Sequence, residues 1–405
     1  MSANNNNDYV LAGIKVVEVA SMIMAPSCGA VLADFGAEVI KVEPPGKGDT
    51  NRYLHQLPGL PKSDIAYSFQ QDNRNKKAIA IDLKQAAGMT VLHDLLEQAD
   101  IFITNFRQPA LQKLKLHYDD LKARYPRLIY AYASGYGEQG PEANNAAYDM
   151  VSFWARSGLE DALYPIDGWL SPIPSGTGDH VSGMSLFGAI SLALYAREKS
   201  GRGTKVVTSL TANGVWCNAT SVQAALCGAE FPAKRPHADA YNALTLSYKV
   251  KGGELIKLTM VEGQKNWPGF CRAIEREDLI RDPRFVEAEN RVENMPALIA
   301  LVSEIFAAMP LALAMQRLQQ NDIPHSHIVP IPQIPDDPQL QANDVFVPVV
   351  GESFRTVNSP IELGNSKKRA PGPAPAIGAH SWEILQTLGY DDNAIEKLLS
   401  DHIIS

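Results

Sequence analysis

Short runs of β-branched and apolar residues alternate, in the N-terminal half of the chain, with longer stretches whose apolar positions recur at helical spacing. Such runs favour buried strands, and the stretches between them favour covering helices. The first set comprises a strand at Ile14–Val19, a loop ending at Pro26, a small-residue helix to Phe35 and, after Gly36, a strand at Glu38–Val42. This order predicts a parallel β-α-β unit.

The same alternation continues along the large N-terminal region. An amphipathic helix is predicted at Gln85–Gln98, and a long apolar helix is predicted to begin near Val181. Further buried strands are predicted at Ala78–Ile81, Asp100–Thr104, Leu128–Ala133 and Lys205–Leu210. The fold class expected from this pattern is α/β, with a doubly wound parallel sheet in the large domain.

A smaller α+β domain is predicted to follow. Leu244–Met260 has the pattern of a hairpin that turns at Gly252-Gly253, and three helices are expected around 267–274, 296–309 and 311–320. Proline-rich stretches at 324–338 and 371–375 favour linkers, and two last helices are expected within 381–401. The expected domains are a disordered tail at 1–10, a large domain at 11–225, a small domain at 226–325, a linker at 326–350 and a C-terminal segment at 351–405.

Length, charge and cysteine usage narrow the function. A chain of 405 residues with 45% hydrophobic content is long enough for two cored domains. A net charge of −8 without a basic run argues against general nucleic-acid binding and favours a small ligand. The four cysteines form no CxxC pair, which predicts neither a metal site nor disulfides and fits a reducing cytoplasm.

Targeting and common enzyme signatures are missing from the pattern. The polar N-terminus does not resemble a signal peptide, and the longest apolar stretch, 181–196, is shorter than a bilayer span, so no membrane role is predicted. The turn after the first strand contains no GxGxxG, and the chain has no P-loop, HExxH or GxSxG motif. Dehydrogenase, P-loop, zinc-protease and serine-hydrolase chemistry are therefore disfavoured.

Two carboxylates are the candidates for chemistry. Asp179 follows a small, flexible run and precedes an apolar helix, where the helix dipole stabilises an anion and N–H groups near Gly178 suit an oxyanion. Asp149 follows the aromatic Tyr148 at the start of another helix, and each carboxylate would change the titration of the other if they were close. Both also suit ordinary helix N-caps, and spacing alone leaves both roles open.

Basic residues recur at or just past the predicted strand ends, where open α/β sheets bind ligands. They suit a phosphorylated ligand, although each alone is also compatible with a solvated surface charge. Arg107 and Lys113 are the strongest candidates of the set, which comprises Lys47, Arg52, Arg74, Lys76, Lys77, Arg107, Lys113 and Lys115.

Taken together, these segments resemble the family III CoA-transferases, the CaiB/BaiF family, over nearly the whole chain from residue 11. The resemblance rests on LAGIKVVE at 11–18, FGAEVIKVE at 35–43, NKKAIAIDLK at 75–84, ADIFITNF at 99–106, SGYG at 134–137, SGRG at 200–203 and EILQTLGY at 383–390. It implies transfer of CoA from an acyl-CoA to a free carboxylic acid through an aspartyl anhydride and an aspartyl-CoA thioester. The family's nucleophile falls on Asp179, and its acidic partner falls on Asp149.

The resemblance also implies the binding site and the assembly. CoA, as a substrate and without a metal, is expected along the large domain of an interlocked homodimer in the cytoplasm, with the C-terminal helices returning to the large domain. The implied CoA contacts are Ser21, Met22, Ile23, Met24, Ala25, Asn75, Lys76, Asn105, Phe106, Arg107, Lys113 and Tyr148.

Four departures from relatives bear on the substrate. Ile23 replaces a glutamine, and Gly252-Gly253 replaces a tetraglycine loop, of the formyl-CoA and oxalate members. Tyr148 replaces the histidine of the racemases, and Ala379 replaces a frequent glutamate. Segments 105–107, 155–157 and 178–180 are most similar to members that act on aryl or branched 2-hydroxy and 2-enoic acids. The alternatives are an α-methylacyl-CoA racemase, for which Glu262 is the remaining support, and an inactive CoA-binding paralogue.

Overall fold

The computed structural model describes residues 9–166, 168 and 173–405. Most of the predicted tail, residues 1–8, lies outside the described residues. Tyr9 and Val10, which were assigned to the same tail, form a turn, and the ring of Tyr9 lies 5.7 Å from the guanidinium of Arg369. The chain divides into two compact units, residues 1–163, 171–229 and 341–405 in the first and residues 164–170 and 230–340 in the second.

The first unit is built on a six-stranded parallel sheet in the order β3-β2-β1-β4-β5-β6. Its β-branched and apolar runs form the strands because both faces of the sheet are covered. The doubly wound fold predicted from the sequence is confirmed, and the observed bounds are β1 Lys15–Val19, β2 Glu38–Glu43, β3 Lys77–Ala80, β4 Ile101–Thr104, β5 Ile129–Ser134 and β6 Lys205–Ser209.

Helices cover the two faces of this sheet. Those of the first unit up to residue 229 are α1 Met24–Asp34, α2 Tyr67–Asn73, α3 Ala86–Glu97, α4 Gln108–Leu114, α5 Tyr118–Leu121, α6 Leu159–Leu163, α7 Thr177–Ser200, α8 Leu210–Cys217 and α9 Ala219–Leu226. One face packs against α1 and α7 around Leu32, Leu186 and Ile190. The other packs against α3 and the C-terminal segment, where Leu92 and Ile384 share a core.

The close contact between α1 and α7 sets the position of the α7 N-terminus. A Cβ at Gly183 of α7 would lie 2.1 Å from Ser27 Oγ and 2.7 Å from the Met24 carbonyl oxygen, so only glycine permits this approach. As a result, the first turn of α7 lies beside the loop that follows β1.

The second unit contains a three-stranded antiparallel sheet in the order β7-β8-β9, with β7 at Ser247–Lys249, β8 at Leu255–Leu258 and β9 at His325–His327. The predicted hairpin turn is confirmed, with Gly252 at φ 115° and Gly253 at φ 97°. Around the sheet, Trp267, Phe270 and Phe306 form the core. The helices of this unit are α10 Gly263–Ala273, α11 Ala288–Glu293, α12 Met295–Ala308 and α13 Leu311–Gln320.

The remaining elements correct one expectation. The stretch 326–350, predicted to be a linker, includes the end of β9, a short helix and a strand. Two of its five prolines lie where regular structure tolerates them, since Pro338 opens the helix and Pro348 ends the strand. These elements are α14 Pro338–Ala342, β10 Phe346–Pro348, β11 Arg355–Val357, α15 Ser381–Thr387 and α16 Asp392–Ser400.

Two helix starts also differ from the prediction. Helix α1 begins at Met24, two residues before Pro26, because a proline in the first turn costs no helical hydrogen bond. Helix α7 begins at Thr177, four residues before Val181. In the part of the chain that the structure describes, none of the helices combines the length and apolar character needed to cross a bilayer.

Candidate active site

The candidate site lies where the order of the parallel strands reverses. Strands β1 and β4 are neighbours, and the chain leaves them in opposite directions across the sheet. Ser21 follows β1, and its N–H donates to Asn105 Oδ1 at 3.1 Å, while Asn105 Nδ2 donates to the Ser21 carbonyl oxygen at 2.7 Å. Open α/β sheets bind ligands at this switch point.

Met22, the next residue, has a strained backbone. Its φ of 67° lies in the left-handed region that residues with a side chain rarely adopt. The N–H of Met22 donates to Asp49 Oδ1 at 3.0 Å, and its carbonyl oxygen accepts from Asn51 Nδ2 at 3.0 Å. Held by these two contacts, the loop after β1 keeps one conformation although that conformation costs energy.

A buried charge cluster supports this loop. Lys41 Nζ lies 2.8 Å from Asp49 and 3.2 Å from Glu18, and Lys76 Nζ lies 2.8 Å from Glu18. Burial disfavours the charged form of Lys41, but Asp49 and Glu18 outweigh it and raise the pKa of Lys41. For Lys76, burial dominates and lowers the pKa. Removing any one partner would leave an unpaired buried charge.

Asp179 is the third residue of α7. The N-cap of that helix is Gly176, whose φ of 81° suits glycine, so the alternative of Asp179 as an N-cap is wrong. Burial, together with the nearby charge of Asp149, raises the pKa of Asp179 to about 7. A carboxyl group with a raised pKa is a stronger base and a stronger nucleophile than an exposed aspartate when it is ionised.

Asp149 contacts the turn that presents Asp179. Its Oδ1 accepts the N–H of Gly178 at 3.0 Å, and the side chain makes no cap hydrogen bond to the short π-helical turn Met150–Ala155 that follows it. Burial raises the pKa of Asp149, although N–H groups at Gly176 and Gly178 oppose the rise. The Gly178 N–H, predicted as an oxyanion donor, is thus occupied by Asp149 in this structure.

A cavity of about 270 Å³ opens in front of Asp179. It is formed by the ends of β1, β4 and β5 and by the segment before the π-helical turn. Seven of the residues predicted as catalytic or CoA-binding line it, namely Ser21, Met22, Met24, Asn105, Arg107, Tyr148 and Asp179.

Comparison with known proteins identifies this arrangement. A family model described as CoA-transferase family III matches residues 11–381. The chain belongs to CoA-transferase family III. The resemblance stated from the sequence is confirmed, and the protein is a CoA-transferase of the acyl-CoA:carboxylate type.

Three relatives of this CoA-transferase cover nearly its whole length. The (R)-2-hydroxy-4-methylpentanoate CoA-transferase of Clostridioides difficile is 34% identical over 98% of this chain and 99% of its own. The cinnamoyl-CoA:phenyllactate CoA-transferase of Clostridium sporogenes is 32% identical over 98% and 97%. A solved CaiB/BaiF family protein from Brucella suis has a TM-score of 0.83 and 27% identity, covering 94% of this chain and 100% of its own.

Other predicted CoA contacts of this CoA-transferase lie in different places. Ile23 lines a second cavity, of about 420 Å³, and Phe106 and Lys113 line a third, of about 790 Å³. Ala25 is fully buried within α1. None of these three cavities is lined by Asn75, whose amide donates to Asp34.

Lys76 is the clearest departure from the predicted contacts. Its Nζ is enclosed in the protein, where it donates to Glu18, to the Pro26 carbonyl oxygen and to Asn73. In this structure Lys76 is therefore a partner of the buried charge cluster and does not reach the cavity in front of Asp179. A lysine next to a strand, as Lys76 is before β3, contacts a ligand only when its side chain reaches the site, which spacing does not show.

Sequence reasoning missed several residues that shape the site of this CoA-transferase. Asp49 and Asn51 hold Met22, and Asp72 accepts from Asn51 Nδ2 at 3.2 Å. A carboxylate and an amide in an irregular segment after a strand are a weak signal for this role. Glu262, the residue that supported a racemase, is exposed and pairs with Lys265 at 2.8 Å in the second unit.

Proposed function

We propose that this CoA-transferase works by covalent catalysis on Asp179. The Asp179 carboxylate attacks the thioester carbonyl of the donor, which gives a mixed anhydride and the CoA thiolate. The thiolate then attacks the Asp179 carbonyl, releasing the first acid as a carboxylate and leaving an aspartyl-CoA thioester. The acceptor carboxylate attacks this thioester and expels the thiolate, which takes the new acyl group and restores Asp179.

The observation that carries this proposal is the position of Asp179. Among the described residues that line the cavity at the switch point, Asp179 is the acidic one, and the others are polar, aromatic, apolar or, in Arg107, cationic. Its pKa of about 7 means that a large part of the carboxyl is ionised at neutral pH and that the ionised form is reactive.

CoA is proposed to lie across the loop that follows β4. Asn105 and Arg107 line the cavity in front of Asp179, whereas Phe106, between them, lines the 790 Å³ cavity. That larger cavity also contains Lys113 and Lys115 beside apolar side chains, which suits a nucleotide with phosphate groups. The thioester end would then reach Asp179 while the nucleotide occupies the larger cavity.

The acids are proposed to carry a branched or aryl apolar group. The 420 Å³ cavity beside the α7 N-terminus is lined by many apolar side chains, including Ile23, Leu54, Ile65, Tyr67 and Phe354. Relatives whose names specify 4-methylpentanoate and cinnamoyl or phenyllactate substrates agree with such a surface.

A homodimer is proposed for the assembly. Leu192 of α7, Trp216 of α8 and Leu226 of α9 are 72%, 78% and 76% exposed in the single chain. Large apolar side chains exposed on three successive helices favour a protein partner. Analytical ultracentrifugation tests this, and a single monomeric species at micromolar concentration would contradict it.

A transfer assay tests the reaction. The enzyme is given a branched 2-hydroxyacyl-CoA and a free 2-enoic acid, and the expected result is formation of the second acyl-CoA with matching loss of the first. In deuterated water with a chiral 2-methylacyl-CoA, no α-deuterium is expected. Tyr148 stands before Asp149 where the racemases carry a histidine, so the imidazole base that would remove the α-proton is not there. Deuterium wash-in at a catalytic rate would favour a racemase, and no reaction with any donor and acceptor would favour an inactive paralogue.

A further inference from the structure

His180, directly after Asp179, belongs to a series of hydrogen-bonded side chains that the proposed reaction does not use. Its Nε2 lies 2.9 Å from Asp72 Oδ1, and Asp72 Oδ2 accepts from Asn51 Nδ2 at 3.2 Å. Asp72 is almost fully buried, whereas the His180 side chain is 46% exposed. A buried carboxylate with a histidine partner stabilises the protonated imidazole.

This pair lies between the reactive carboxyl and two open cavities. His180 and Asp72 both line the 420 Å³ cavity and a further one of about 640 Å³. The charged groups around them come from the end of α2, the residue before β3, the segment before the π-helical turn, α7 and the C-terminal segment. They are Arg74, Lys76, Asp149, Asp179, Asp344, Arg355 and Glu362. Among the groups that act on Asp179, Asp149 and Asp72 disfavour its anion, and His180 favours it.

We propose that His180 offsets the charge of its partner Asp72, so that Asp72 does not suppress the anionic, attacking form of the Asp179 carboxylate, with His180 as a positioning residue. The protonated imidazole offsets the charge of Asp72. The buried Asp72 carboxylate can therefore accept the hydrogen bond from Asn51 without adding net negative charge beside Asp179. Although burial opposes protonation, the hydrogen bond and the charge of Asp72 raise the pKa of His180 above its ordinary value, which favours the protonated imidazole.

The inference rests on the proposed role of Asp179, and the pH dependence of kcat/KM tests it. His180→Gln keeps an amide N–H for Asp72 but loses the positive charge, so the effect of Asp72 on Asp179 is no longer offset. We expect the acidic limb of the profile to move up by about one pH unit. Activity would fall about tenfold at pH 6 and less than about twofold at pH 9. A role confined to packing would lower activity by the same factor at every pH.

The double variant Asp72→Asn/His180→Gln is the decisive companion. It removes both charges and leaves amides that can still hydrogen-bond to each other and to Asn51, so the acidic limb should return most of the way to the wild-type position. The control is His117→Asn, because His117 caps α5 far along the chain from α7 and asparagine is also a good cap. Its profile should match that of the wild type.

Two results would contradict the proposed role of His180 and Asp72. One is an acidic limb in His180→Gln that stays at the wild-type position. The other is a double variant whose limb stays with that of the single variant. Circular dichroism melts and CoA binding of each variant separate these results from misfolding. If the double variant does not fold, the pH profile of His180→Gln alone decides, because its side chain is half-exposed and the substitution should be tolerated. Failure of the proposed function is a different result, namely full activity in Asp179→Asn.

Discussion

Ser21 and Asn105 join the ends of two neighbouring parallel strands by a pair of hydrogen bonds, one of 3.1 Å and one of 2.7 Å. This link fixes the loop after β1 against the loop after β4, on both sides of the switch point. Residues of both loops line the cavity in front of Asp179. If the thioester binds there as proposed, its position depends on the link.

Asn105→Ala removes both hydrogen bonds and should loosen the two loops. We expect the KM for acyl-CoA to rise about tenfold, with a smaller fall in kcat, because binding geometry is lost while Asp179 remains. Steady-state kinetics with one donor and one acceptor measure this. Asn393→Ala, at an exposed position of α16, is the control and should keep wild-type values. Unchanged kinetics in Asn105→Ala would show that the Ser21–Asn105 link does not position acyl-CoA.

Arg107 is exposed and lines the cavity in front of Asp179, where its guanidinium suits a phosphate of CoA. Arg107→Ala should raise the KM for acyl-CoA about tenfold and should make that KM less sensitive to added salt. Arg124→Ala, which changes an exposed arginine near Glu97, is the control. If Arg107→Ala alters neither KM nor its salt dependence, the proposed path of CoA is wrong.

Ile23 is buried and lines the 420 Å³ cavity proposed for the apolar part of the acid. Ile23→Gln adds a polar amide there, so kcat/KM for a branched or aryl acid should fall about 10- to 100-fold relative to that for oxalate. Ile23→Leu, which keeps the apolar surface, should change this ratio little. Competition between the two acids measures the ratio directly. Efficient oxalate turnover by the wild type would contradict the assignment.

Asp179→Asn should stabilise the protein in a pH-dependent way. Because the pKa of Asp179 is raised from 3.8 to about 7 in the folded state, ionisation of this group opposes folding, and its cost grows as pH rises between those values. Asparagine carries no such cost. The variant's advantage in free energy of unfolding should therefore be about 1 to 3 kcal/mol larger at pH 8 than at pH 5. Urea unfolding at the two pH values measures this, and an equal advantage at both would contradict it.

The fold followed from the sequence because its strands are short apolar runs separated by helices of clear periodicity. The predicted ends of helices were less accurate where a residue is compatible both with a loop and with the first turn of a helix. Pro26 suggested a loop but lies in the first turn of α1, and the apolar pattern began at Val181 although α7 starts at Thr177. Both shifts occur in first turns, where helical hydrogen bonds do not constrain the residue type.

The site was only partly predictable because spacing places residues near a strand end without showing which way they face. Asp179 and Asn105 line the cavity, yet Lys76, directly before β3, pairs with Glu18 inside the protein. The role of Asp72 depends on a contact with His180, 108 positions away along the chain. Such a pair has no local pattern and becomes visible only in the folded structure.

The central claim is that Asp179 is the covalent nucleophile, and trapping the intermediate tests it most directly. The enzyme is incubated with acyl-CoA and no acceptor and then treated with hydroxylamine, which converts an activated aspartyl group to a hydroxamate. For the wild type, the account predicts loss of activity and a mass change on the peptide that contains Asp179. For Asp179→Asn it predicts neither turnover nor a mass change. A label on another peptide, or full activity in Asp179→Asn, would contradict the account.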